Sequence, residues 1–123
     1  MNAYREAIKI YSAFPDVDLS SLLANLGNIY SNCQMYSVAE KYYHEAINER
    51  RNKNPNGKEL LYQIYRQLSL AQEQLGTYEE ALNSLNKALE IAEQGFGNII
   101  EVLFHCAKIK ELEENWLDAL EFY

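Results

Sequence analysis

The stretch that decides the fold reads Leu23-x2-Leu26-Gly27-x2-Tyr30, followed by Tyr36-x2-Ala39-x3-Tyr43-x2-Ala46. Leu23, Leu26 and Tyr30 stand at i, i+3 and i+7, which is one face of a helix at about 3.6 residues per turn. Tyr36, Ala39, Tyr43 and Ala46 line one face of a second helix in the same way. Ser31 to Met35 separate the stripes and leave room only for a tight turn, so the spacing predicts two antiparallel helices packed stripe to stripe. Gly27, Ala39 and Ala46 supply the small side chains that let two helix backbones come close.

The pattern returns along the chain. A second copy reads Tyr65-x2-Leu68-Ser69-x2-Gln72, then Tyr78-x2-Ala81-x3-Leu85-x2-Ala88. A third reads Leu103-x2-Cys106-Ala107-x2-Lys110, then Trp116-x2-Ala119-x3-Tyr123. Tyr4-x2-Ala7-x3-Tyr11 matches the second helix alone, and the shared Ala recurs at spacings of 32, 42 and 38 residues. The units are therefore 1–17 (a second helix only), 18–53, 58–94 and 97–123 (partial), with seven helices and no sheet.

Turn chemistry supports these limits. Pro15 stops the first helix, because it has no N–H and restricts the residue before it, and Asp16 or Asp18 caps the next. Asn54-Pro55-Asn56-Gly57 is the clearest break. Gly76 is placed to close a helix in the left-handed conformation, and Thr77 with Glu80 forms the pattern of a capping box, repeated by Asn115 and Asp118 before Trp116. Arg50, Arg51 and Lys53 sit at a helix C-terminus, where cations complement the dipole, which makes them structural.

This repeat resembles the tetratricopeptide repeat, whose helical hairpin carries Leu-Gly and Tyr on its first helix and Gly-x-Tyr-x2-Ala on its second. Leu26-Gly27 with Tyr30, and Gly76-x-Tyr78-x2-Ala81, match well, whereas Gln72 and Lys110 stand where an aromatic residue is expected. The resemblance implies an all-α solenoid of antiparallel helical hairpins wound as a right-handed superhelix. Units longer than the family's usual length of about 34 residues resemble those of kinesin light chains and of the Leu-Gly-Asn spindle-orientation adaptors, a triplet present as Leu26-Gly27-Asn28.

Composition excludes several functions. Eleven basic against eighteen acidic residues leave a net charge of −7, which opposes a phosphate backbone and makes nucleic acid an improbable partner. No apolar run approaches the roughly 20 residues of a membrane span, so no membrane insertion is expected, and Met1 to Arg5 open no signal peptide. A soluble cytoplasmic protein with reduced cysteines is the expectation, since Cys33 and Cys106 have no metal or redox spacing. His44 and His105 have no metal-ligand spacing either, Cys106 reads as a core residue, and no phosphate loop or nucleophile elbow is present. The chain reads as no enzyme, with no cofactor.

Function is left to the surface. In a stacked array the first helix of each unit faces the concave side. The candidate groove residues are then Asn25, Asn28 and Asn32 in one unit and Gln63, Arg66, Gln67 and Leu70 in the next, with Phe104 and Lys108 in the third. Ala24, Glu73, Glu101 and His105 fall on the same face by this register. Amides dominate, and each offers a donor and an acceptor to the backbone of an extended peptide. Relatives that clamp a peptide's terminal carboxylate have Lys at the place of Ala24 and Asn at that of Asn28; only the Asn is kept, so that clamp is not inferred. The expectation is a protein-protein interaction module, an adaptor or scaffold binding a peptide of another protein. The alternatives are a structural or self-assembling segment of a larger complex and a regulatory or sensory domain. Exposed solenoid ends make a homo-oligomer a further expectation.

Overall fold

The computed structural model describes residues 2–13 and 17–121, apart from the side chains of Asn2, Tyr4, Tyr11, Asp118, Ala119 and Glu121. The expected Pro15 break, the Asp16 cap and the stripe positions Tyr4, Tyr11, Ala119 and Tyr123 lie outside what is described. The helices are α1 (Asn2–Tyr11), α2 (Ser20–Asn32), α3 (Tyr36–Lys53), α4 (Lys58–Gln74), α5 (Tyr78–Ile91) and α6 (Ile99–Glu121). A π turn over Ala92–Phe96, with Gly95 at φ 95°, leads from α5 toward α6. No strand occurs among the described residues.

α2 packs on α3 and α4 on α5; the two hairpins stack through α3 against α4, and α6 packs on α5 of the second hairpin. The predicted stripes lie in the core: Leu26, Ala39, Ala46, Ala81, Leu85 and Ala88 are inaccessible to solvent, and Tyr43 and Leu68 nearly so, while Ile64, off the predicted stripe, is also inaccessible. Small residues set the approach of the helices. A Cβ on Gly27 would stand 2.6 Å from Cε1 of Tyr43, so α2 and α3 meet where only glycine fits beside the ring. In the second hairpin Ser69 takes that place with Leu85 opposite, and a smaller partner admits a larger neighbour.

Both hairpin turns close alike. Gln34 at φ 63° and Gly76 at φ 78° take the left-handed conformation. The next N–H returns to the last turn of the helix, Met35 to Tyr30 O at 2.9 Å and Thr77 to Gln72 O at 3.0 Å. The Thr77 hydroxyl also donates to Gln72 O, so it does not make the expected capping box with Glu80. The N-cap position of α2 is Leu19 rather than Asp18; Asp18 stands one residue before it, its Oδ1 accepting the Ser20 N–H at 2.9 Å.

The third unit departs from expectation. The segments read as separate helices, 98–113 and from Trp116, form one continuous α6, which makes six α-helices among the described residues, close to the seven expected. At the position where the turns have Gln34 and Gly76 the third copy has Glu114, and the helix runs on through it. Asn115 thus lies inside a helix and caps nothing. The inward face also sits one residue earlier than read from the sequence. Val102, His105 and Ile109 are buried, while Leu103, Ala107 and Lys110 are exposed and Cys106 is half-buried. The small position of this unit is Cys106, in line with Gly27 and Ser69.

Candidate functional site

Two hollows lie along the first helices of the units, α2, α4 and α6, and take in most of the predicted groove residues. The first, about 370 Å³, is lined by Asn28, Ser31, Asn32, Tyr43, Gln67 and Leu70. The second, about 390 Å³, is lined by Arg66, Leu70, Ile100, Glu101, Phe104, His105 and Lys108. Leu70 lines both. Of the predicted set, Asn25 and Gln63 are exposed on α2 and α4 but line neither hollow, and Ala24 is buried.

The polar residues are not all free to meet a ligand. Tyr43 donates its hydroxyl to Asn28 Oδ1 at 2.6 Å, which fixes the amide and leaves its NH2 to the groove. Burial pushes the Tyr43 phenol up to about 12, so this hydroxyl stays a donor throughout the neutral range. Arg66 reaches Glu101 Oε2 at 3.1 Å and lies 5.8 Å above the centroid of the Tyr62 ring. An incoming carboxylate must therefore compete with Glu101.

Beneath the second hollow is a pair the sequence does not single out. Glu73 and His105 have side chains only 8% and 9% exposed, and His105 Nε2 stands 3.0 Å from Glu73 Oε2. Lys108 Nζ is 4.0 Å from the other Glu73 oxygen and points its exposed side chain to the rim. The apolar part is open: Ile100 is 78% exposed, Phe104 76% and Leu70 47%, on two neighbouring helices. Such clustered apolar exposure on a folded surface marks a contact site more than an isolated leucine does. Ile100 escapes the sequence reading because of the one-residue register error: counted from Cys106 it falls on a groove position, counted from Ala107 it does not.

On the opposite face a hollow of about 610 Å³ lies between α3 and α5, lined by Ser37, Val38, Glu40, Lys41, His44 and Glu80. Next to it Gln72 explains its departure from the repeat pattern. It is buried, donates from Nε2 to Glu40 Oε2 at 2.9 Å and accepts from Ser84 Oγ at 2.7 Å, joining α3, α4 and α5. Among the described residues no group of three or more His, Cys, Asp or Glu is placed to hold a metal ion. No described helix is long and apolar enough to cross a membrane.

Stacked helical hairpins with hollows along their first helices are the architecture of a helical repeat protein. A family model of the tetratricopeptide repeat matches residues 18–94, and the chain belongs to that family. The match is to the repeat as such and selects neither kinesin light chains nor the Leu-Gly-Asn adaptors. Among curated proteins none matches the chain. Members of the family generally mediate protein-protein interaction and are generally non-catalytic.

Proposed function

We propose that the concave face binds an extended segment of a partner protein, and that the chain serves as an adaptor or scaffold module. The observation that carries this reading is the apolar cluster Leu70, Ile100 and Phe104, exposed between α4 and α6, with Leu70 also lining the hollow of Asn28, Asn32 and Gln67. An apolar side chain of the partner is the anchor, since buried apolar contacts at the centre of an interface contribute most of its affinity. The amides pair with its backbone, which holds an extended chain whatever its sequence.

Charge shapes the choice of partner. A net charge of −7 favours a partner that is basic overall. The Arg66–Glu101 pair blunts the local preference for an acidic residue at Arg66, and Lys108 on the rim becomes the more accessible cation, its side chain 61% exposed. The free thiols at Cys33 and Cys106 fit a reducing, cytoplasmic setting. No chemistry of a substrate or cofactor enters this reading.

The test is peptide-library selection against the parent chain, followed by affinity measurement on a Leu70→Ser, Phe104→Ala double variant. Both side chains are exposed, so thermal stability stays within about 0.5 kcal/mol of the parent. Selected peptides lose at least about tenfold in affinity, the equivalent of about 1.4 kcal/mol. Equal binding to both proteins would move the site off this face.

A further inference from the structure

α6 runs for 23 residues, roughly 35 Å at 1.5 Å per residue, and among its described side chains the buried ones, Val102, His105 and Ile109, lie in its first half. Beyond them Trp116, Leu117 and Leu120 are 58%, 53% and 52% exposed, and Leu103 on the free side of the first half is 50% exposed. Leu103, Cys106, Lys110, Glu113, Leu117 and Leu120 follow one another at steps of 3, 4, 3, 4 and 3 residues, the spacing of a coiled-coil seam.

The seam is its own complement when it is reversed. In an antiparallel pair of such helices, Leu103 of one copy meets Leu120 of the other, Cys106 meets Leu117, and Lys110 meets Glu113. Apolar layers then lie outside and two Lys–Glu layers lie at the centre. In a parallel pair Lys110 would face Lys110 and Glu113 would face Glu113, and like charges at a helix seam are destabilising. We propose that α6 pairs with α6 of a second copy, antiparallel, about a two-fold axis that falls between Lys110 and Glu113.

The arrangement is isologous, so it closes as a dimer and does not propagate into a filament. The three leucines and the flanking Trp116 from both copies cover roughly 1,000 Å², the lower end for a specific interface. The dimer therefore dissociates on dilution. Leu103 does not line the Leu70, Ile100 and Phe104 hollow but stands one turn from Ile100 on the same helix, so association and peptide binding are read by separate measurements.

Sedimentation equilibrium of the full chain across a concentration series tests the proposal. The parent is expected to pass from monomer to dimer with rising concentration. Leu117→Glu is expected to stay monomeric with unchanged helical circular dichroism, since Leu117 is exposed on a formed helix. Lys110→Glu is expected to weaken association about tenfold, because the introduced carboxylate then faces Glu113 in both central layers. The double reversal Lys110→Glu, Glu113→Lys is expected to restore the parent's association. A parent that remains monomeric at every concentration overturns the dimer. A dimer insensitive to Leu117→Glu places association elsewhere and overturns the seam. Loss without recovery in the double reversal overturns the antiparallel register.

Discussion

A methyl group on Gly27 would collide with the ring of Tyr43, and the second hairpin shows how the same crossing is built with other residues: Ser69 against Leu85. Gly27→Ala is therefore expected to destabilise the chain by about 1–3 kcal/mol through overpacking, read as a lower midpoint of thermal or urea unfolding. The double change Gly27→Ser, Tyr43→Leu should recover most of that loss, because it copies a crossing that already packs; a double variant no better than the single one would mean the two hairpins do not share a register. Such positions were legible because a small residue recurring on an apolar stripe has one physical reason. Side-chain commitments were not. Asn28 and Arg66 read as free groove residues, yet one is held by Tyr43 and the other by Glu101, residues 15 and 35 places away that only the folded chain brings near. Gln72 was visible as a departure from the pattern, but its bonds to Glu40 and Ser84 depend on two other helices.

At the scale of the element, the turn residue decides whether a repeat closes. Gln34 holds φ 63° with a Cβ in place, a strain of about 1–2 kcal/mol. Gln34→Gly removes that strain but loosens the unfolded chain by about 0.4–1 kcal/mol, so a net gain of roughly 0.5–1 kcal/mol is expected. Gly76→Ala should cost about the same by the reverse argument, and denaturant titration of both variants checks the pair. The helices of the first two hairpins were legible to within a few residues because period, cap and turn all agree there. The third unit was misread because two signals conflict: the Trp116-x2-Ala119 motif announces a new helix, while Glu113-Glu114 offers no residue suited to the left-handed turn that must precede it. Its register slipped by one since Val102 and Leu103 are equally apolar, and only the fit against α5 distinguishes them. Ile100, the groove residue that slip concealed, is the functional consequence.

For the whole array, the joint between stacked hairpins matters as much as each hairpin, because every unit contacts only its neighbours and stability is close to a sum of units and interfaces. Arg50 at the end of α3 holds that joint: its NH1 meets Asp18 Oδ2 at 2.7 Å, before α2, and its Nε donates to Gly57 O at 3.2 Å, before α4. Burial alone would raise the Asp18 carboxyl, but hydrogen bonds from Ser20 and the Arg50 guanidinium outweigh it and hold the group below its usual 3.8. A carboxylate with a depressed folded-state value stabilises the fold above the unfolded value, and the contribution fades as pH falls through the folded one. Asp18→Asn should thus be less stable than the parent at pH 7, by about 1 kcal/mol for a partly exposed ion pair. The gap should narrow as the pH drops below about 4 and vanish once Asp18 is protonated in both states. Urea unfolding of the two proteins from about pH 7 down to about pH 2.5, a range that brackets the carboxylate titration, makes the comparison, and a gap that stays constant through the acid range would show that the charge of Asp18 does not hold the joint.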